Sequence, residues 1–435
     1  MNIERATKVQ WLVLTWFLMA PLLFFTARGM FSFDRAQYTN TDGSTPVTQT
    51  ATASDTLVYR AERITAYGIV FISIAASFKA TARTIDNARS ILLLPMLAIV
   101  SALWSQEFTR TLFFGVLALV LTCFGGYLTH RFSGERIVEL FLLVGMIAAA
   151  ASLVIIILFP SIGVRHFDGS NAWQGLFVQK NTLGIISVYL IIAPLVVEKR
   201  GALRMVMLYG YIGLSFALIA MCQSRTAWLE LGLVLVYFSF ERIYIRSSPR
   251  GRGAVVAFLL FSVASAAYVA WMYGGDLAVA VGKTRDMTGR GDIFKAIYPV
   301  LWKRPLTGFG YQAFWLGLKG ESARLVLTPG HSGLANAENG ILQMWLEMGA
   351  LGTIATLAVL ALASFNALVC LAHSPPPYIR WSCAVIFLSL LELVNGDKIM
   401  YPDTIEWLLF VVAYLILIQH MRLIRDQQFN RSSNA

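Results

Sequence analysis

Charge is what this sequence has least of. Asp, Glu, Lys and Arg make up only 14% of its 435 residues, against roughly a quarter in soluble globular chains. A chain this long has room for a large core but too few charges to cover the surface around it, so a soluble globular protein is excluded. Cysteine is scarce as well. Cys123, Cys222, Cys370 and Cys383 lie in or beside apolar runs without metal-ligand spacing, which argues against a disulfide framework and against zinc. The basic excess, 35 Lys and Arg against 24 Asp and Glu, is scattered between apolar stretches rather than gathered in an aromatic-interleaved groove, so nucleic acid is not an expected partner. No DxD-like pair of carboxylates occurs in the outward loops assigned below, and no metal or other cofactor is expected.

Apolar residues dominate instead, at 57% of the chain with a mean hydropathy of +0.64. About 20 apolar helical residues cross a bilayer core. Runs that approach that length fall at 9–27, 57–78, 88–104, 108–128, 137–159, 183–197, 203–221, 226–240, 254–273, 340–366, 379–394 and 403–420. The expected fold is therefore an all-α polytopic membrane protein with about twelve transmembrane helices. It divides into three regions: a nine-helix membrane region over 1–273 with a polar outward loop near 28–56, a large loop over 274–339, and three helices with a tail over 340–435. Basic residues cluster at Lys79–Arg89, Arg131–Arg136, Lys199–Arg204 and Arg242–Arg252, and in the tail at Arg422, Arg425 and Arg431. The positive-inside rule then puts both termini in the cytoplasm and the long loops outside.

The large loop has structure-forming sequence. In GRGDIFKAIYPVLWKRPLTGFGYQAFW, Ile293, Ile297, Val300 and Leu301 recur at near-helical spacing, and Pro305 with the Gly308–Gly310 pair reads as the end of that helix. The aromatics and Lys303–Arg304 suit a helix resting at a membrane interface.

Several polar residues on the outward side carry possible chemistry. Arg225, at the start of SRTAWLELG, is either an anchor snorkelling to headgroups or a guanidinium fork for phosphate. Arg290, in TGRGD, has the same two readings, solvated loop residue or anion ligand. Lys180 and Asn181, in FVQKNTLG, either cap a helix or touch a pyrophosphate or sugar, and Arg165 and His166 add further donors nearby. In TPGHSGLANAENGILQMWLEMGALG, His331 and Glu338 are the candidate proton acceptors, while Glu338 and Asn339 are also good helix caps. Glu230, Glu347 and Glu392 fall in apolar stretches. Glu347 stands nine positions from Glu338, on the opposite face of a continuous helix, and reads as structural before catalytic.

Four segments in this order, QKNTLG at 179–184, SRTAWL at 224–229, the 289–315 stretch quoted above, and ENGILQMWLEMGALG at 338–352, resemble the O-antigen ligase and O-antigen polymerase superfamily, most of all its exopolysaccharide-polymerase-like branch. The resemblance implies a GT-C-like glycosyltransferase of a bacterial inner membrane whose site faces the periplasm. It implies an undecaprenyl-diphosphate-linked oligosaccharide as donor and a glycan acceptor, with polysaccharide export or chain-length-control proteins as further partners. On that pattern Arg225 and Arg290 bind the donor diphosphate and a Lys–Asn feature maps onto Lys180 and Asn181; beside it, Lys180 is read as a further diphosphate contact and Asn181, Asn339 and Arg165 as substrate-positioning residues. The family's His–Asn pair before the late helix, its proposed base, is Glu338–Asn339 here, so the base is Glu338 or, by a loop shift, His331. The expected activity is polymerisation of lipid-linked repeats. Ligation onto lipid A-core is the nearest rival, and a lipid-glycan transporter is the alternative outside enzymes.

Overall fold

The computed structural model describes residues 8–27, 57–167, 170–199, 201–259, 261–262, 265, 290–326, 336–373, 375–395 and 399–433. Its helices are α1 (Lys8–Ala27), α2 (Leu57–Ala76), α3 (Phe78–Asp86), α4 (Leu93–Val100) between two 3-10 turns, α5 (Phe108–Arg131), α6 (Gly134–Leu158) and the short α7 (Pro160–Gly163). A hairpin of β1 (Val164–Phe167) and β2 (Ser170–Trp173) succeeds them. Then come α8 (Lys180–Val196), α9 (Ala202–Met221), α10 (Arg225–Arg246) and α11 over 249–259, and after them α12 (Arg290–Leu301), α13 (Ser322–Val326), α14 (Gly340–Leu371), α15 (Pro377–Asn395) and α16 (Ile405–Ser433).

The chain is an all-α multi-pass membrane protein, but the expected twelve spans do not hold. Among the described residues five helices, α5, α6, α9, α14 and α16, are long and apolar enough to cross a membrane. A sixth joins them if α2 and α3, bent by 87° at their junction, count as one broken span. Hydropathy reports removal from water without saying whether lipid or protein does the covering. The run at 183–197 lies in α8, which has only 17 residues and is buried on nearly every face, as a helix apolar all round is when other helices enclose it. The run at 88–104 is three short pieces, 3-10, α and 3-10. Most of the run at 254–273 lies outside the described residues, as does the loop at 28–56. A count of five or six leaves the parity open and so does not itself fix an orientation for the termini.

The centre of the bundle is α16, enclosed by α5, α14 and α15, with the stretch Ile405–Leu417 almost wholly buried. Close approach of α5 depends on Gly125: a Cβ there would lie 2.5 Å from Val411 Cγ1, the small-residue packing of membrane helices. Between the same helices the Trp407 indole N–H donates to Thr122 Oγ1 at 3.0 Å. Ion pairs add to this packing. Arg380 of α15 forks onto Glu241 of α10 at 2.6 and 2.9 Å, and Arg63 of α2 meets Asp403 at 2.6 Å. The Asp403 carboxylate also accepts from Tyr67 (2.9 Å) and Tyr59 (3.3 Å).

The helix expected after Gly291 is present, and its spacing is what the pattern predicts. Ile297, Val300 and Leu301 are buried and pack with Phe309, Phe314 and Leu346 in a second, smaller core. Beyond α12 the chain does something the sequence does not announce. Gly349, within α14, has φ 65° and ψ −165°, a region essentially reserved for glycine, and breaks the helix there. In an unbroken helix Ala350 N–H would donate to Leu346 O, and Leu351 N–H to Glu347 O. Here residues 305–310 insert between them. Ala350 and Leu351 donate to Pro305 O (2.8 Å) and Leu306 O (3.2 Å), while Phe309 and Gly310 donate to Leu346 O (2.9 Å) and Glu347 O (2.8 Å). Four of the backbone groups freed by the break are thus answered by the loop, the kind of compensation a broken helix away from water requires.

Candidate functional site

Two of the quoted motifs meet in space. Gly184 of α8 packs against the start of α10 so closely that a Cβ on it would fall 2.5 Å from Ala227 Cβ, 3.0 Å from Cys222 Sγ and 3.4 Å from Ser224 Cβ. The first turns of α8 and α10 are therefore in contact, and their first residues are Lys180 and Arg225. Arg225 is exposed and Lys180 half-buried, near enough to Cys222 to act on its thiol electrostatically. Among the described residues neither forms an ion pair.

This placement runs against the helix macrodipole, which favours anions at an N-terminus and disfavours cations by about 0.3–1 kcal/mol each. Neither helix has an acid in its first turn. Ser224 caps α10 by accepting from Ala227 N–H (3.4 Å), but Gln179 offers α8 no side-chain cap. Two helix N-termini and two cations thus meet at this end of α8 and α10, with no acid in either first turn and no ion pair to either cation among the described residues. Such a constellation binds phosphate-like groups, with backbone N–H donors and a guanidinium fork supplying geometry as well as charge. Asn181 is exposed beside Lys180.

Arg165 stands half-buried on β1, opposite Ala172 of β2. The hairpin is an element the helical reading missed, although Asp168–Gly169 between two short β-prone stretches is a recognised hairpin signal. Its strand β2 touches α8 and α9. The chain leaving β2 is tied back to the end of α7, where the N–H groups of Gln174 and Gly175 donate to Gly163 O at 2.9 and 3.0 Å. Arg165 thereby belongs to the same end of the bundle as α8.

Glu338 lies just before α14. Asn339 is the cap, accepting from Leu342 N–H at 3.0 Å, so of the two residues expected to cap this helix Asn339 does and Glu338 does not. Glu338 has φ 50°, a left-handed conformation that costs a non-glycine residue on the order of 1 kcal/mol. Its N–H donates to Asn336 Oδ1 (3.0 Å), and its side chain is half-buried. Glu347 is buried and accepts from Gln343 Nε2 at 2.6 Å, in keeping with a structural reading. The structure thus brings the starts of α8 and α10 together, sets the hairpin that carries Arg165 against α8, and puts Glu338 and Asn339 at the start of α14, whose bond to α10 (Tyr244 O–H to Leu368 O, 3.2 Å) lies toward the far ends of both helices. Arg290 opens α12, but its side chain and the whole of His331 lie outside the described residues.

Comparison with known proteins falls on the same ground. The family model described as O-antigen ligase matches residues 210–357, a stretch that holds Arg225, Arg290, the inserted loop, Glu338 and the Gly349 break. The exopolysaccharide production protein ExoQ of Rhizobium meliloti (strain 1021) is 31% identical over 241 residues, which is 52% of this chain and 53% of that protein. The match thus spans about half the length of that curated relative. Over residues 210–357 the chain is thus similar to the family described as O-antigen ligase, and over about half its length to an exopolysaccharide production protein.

Proposed function

We propose that this protein is a membrane glycosyltransferase that moves a preassembled glycan from a lipid diphosphate onto an acceptor hydroxyl. The observation that carries the reading is the pair of cations, Lys180 and Arg225, at two touching helix N-termini, neither of them ion-paired among the described residues. That is a site for a diphosphate, and a reaction that expels one gains from charge placed there. The acceptor oxygen attacks the anomeric carbon, the bond to the diphosphate oxygen breaks, and the lipid diphosphate leaves with the bonding electrons, inverting the anomeric centre. Lys180, Arg225 and Arg290 offset the charge that develops on the leaving group. Glu338 takes the hydroxyl proton, with His331 as the second candidate, while Asn181, Asn339 and Arg165 position substrate. No metal takes part, so EDTA leaves turnover unchanged. The site faces the periplasm.

Between the two transfers considered, ligation is favoured, because the model matching residues 210–357 is described as O-antigen ligase. Polymerisation remains the second reading, since the relative is named for exopolysaccharide production. The test is product mass from the reconstituted protein given a native lipid-diphosphate-linked glycan, with and without a lipid A-core acceptor. One transfer onto the core supports ligation. A ladder retaining one diphosphate per chain supports polymerisation and removes the ligase reading. No new glycosidic bond with either acceptor, together with movement of the donor across the bilayer, replaces both with transport.

A further inference from the structure

We propose that Gln343 is a positioning residue that sets the turn carrying Glu338, an inference that rests on the reading of Glu338 as the proton acceptor. Gln343 is 2% exposed, on the first turn of α14. Its amide oxygen accepts from two donors, the backbone N–H of Ala337 and the indole N–H of Trp315, both at 2.9 Å. Its amide nitrogen donates to Glu347 Oε1 at 2.6 Å. Both lone pairs of the oxygen are used. The amide cannot be turned over, because a flip would set N–H groups against N–H groups and an oxygen against a carboxylate.

The consequence lands on the neighbouring residue. Ala337 is completely buried and immediately precedes Glu338, so the Gln343 bond fixes one flank of the left-handed residue. On the other flank Asn339 O accepts from Gln343 N–H at 2.9 Å. One residue therefore holds both sides of Glu338, through its side chain and its backbone. A left-handed glutamate persists only where its surroundings over-determine it, and Gln343 supplies two of the constraints.

The same residue connects that turn to the inserted loop. Trp315 packs edge-on against Phe314, 4.9 Å between ring centres, in the smaller core. Glu347 holds the Gln343 amide with its side chain, and with its carbonyl it accepts from Gly310 N–H at 2.8 Å. The docked loop, the helix break and the Glu338 turn are thus coupled through Gln343. A misplacement of about 1 Å at a catalytic group lowers turnover by as much as a hundredfold without touching substrate affinity.

The experiment uses the full chain in lipid with a lipid-diphosphate-linked glycan donor, and compares Gln343→Met, Trp315→Phe and the exchanged pair Gln343→Glu with Glu347→Gln. In the exchanged pair a carboxylate still accepts from Ala337 and Trp315, and an amide at 347 supplies the donor facing it. For Gln343→Met the expected result is a kcat about tenfold lower or more with donor KM unchanged, and faster hydrogen exchange across 336–342. Trp315→Phe is the gentler variant, with a fall of about threefold, and it carries the test if the methionine variant does not fold. Recovery of turnover in the exchanged pair supports the assignment. Unchanged exchange at 336–342 in both Gln343→Met and Trp315→Phe overturns the role of Gln343, whatever Glu338 does. Faster exchange with normal turnover in both Gln343→Met and Glu338→Gln overturns the proton-acceptor reading instead, and the positioning role with it.

Discussion

Replacing Gly349 by alanine tests the helix break directly. A Cβ at this position would lie 2.3 Å from both the carbonyl carbon and the oxygen of Leu306, and 2.4 Å from Thr307 N. Those are backbone atoms, so no side-chain rotation relieves the collision. The conformation itself, φ 65° and ψ −165°, adds about 1–3 kcal/mol of strain for any residue with a side chain. If the inserted loop is pushed out, the four backbone hydrogen bonds between 305–310 and 346–351 go with it, at about 1 kcal/mol net apiece. The sum is on the order of 5 kcal/mol, comparable to the whole stability of a modest domain. Gly308→Ala attacks the same junction from the loop side, since its φ is +65° and a Cβ would stand 2.6 Å from Glu347 C and Gly349 N. Gly210→Ala, where a Cβ meets nothing within 4 Å, is the control and should be neutral or stabilising by up to about 1 kcal/mol. Hydrogen exchange of the 346–351 amides in detergent reads the opening of this junction, and about 5 kcal/mol corresponds to acceleration by more than about a thousandfold. Exchange at 346–351 in Gly349→Ala no faster than in Gly210→Ala would refute the account of the insertion.

Three further outcomes are expected. Arg380→Met leaves the fully buried Glu241 carboxylate without its fork and should lower stability by about 2–3 kcal/mol, less than a wholly buried pair because the arginine is about a third exposed; adding Glu241→Gln should restore much of the thermal midpoint. Lys303 bonds Glu321 at 2.6 Å and holds its carboxyl below the ordinary glutamate range; a depressed carboxylate stabilises above its unfolded pKa and loses that contribution as pH falls through the folded value, so fastening of residues 303–321 weakens only under acid conditions, an effect Glu321→Gln abolishes in exchange measurements. Lys180→Ala and Arg225→Ala each remove a cation from the wrong end of a helix, so each should leave the thermal midpoint unchanged or slightly raised while weakening donor binding by about tenfold; a fall in stability that accounts for the lost binding would make them structural.

The membrane class and the α12 pattern were legible because each rests on local periodicity or composition: Ile297, Val300 and Leu301 point the same way with or without the rest of the fold. The span count was not, since α8 is apolar for a neighbour's sake rather than for lipid. Nor was the break at Gly349 visible in EMGALG, which reads as unbroken helix; its cause is a segment some forty residues earlier. GFG reads as a plain turn, whereas Gly308 is there to let the loop backbone reach Glu347 and Gly349. Single-sequence pattern carries no information about such a partner.

The candidate site was legible for a different reason. Lys180 and Arg225 stand at helix starts where an acid is preferred, and Glu338 holds a conformation better suited to glycine or asparagine. Each breaks a local rule at a cost of about 1 kcal/mol or less, with no compensating ion pair for the two cations among the described residues. The glycines in the same motifs behave oppositely, since Gly184, Gly308 and Gly349 are all accounted for by close packing. A motif residue whose presence packing explains gives no argument for chemistry; one that packing and capping would both replace does. By that criterion the quoted motifs divide into glycines that build the scaffold and charged residues it tolerates, and it is to the tolerated charges that the proposed function assigns the diphosphate and the hydroxyl proton.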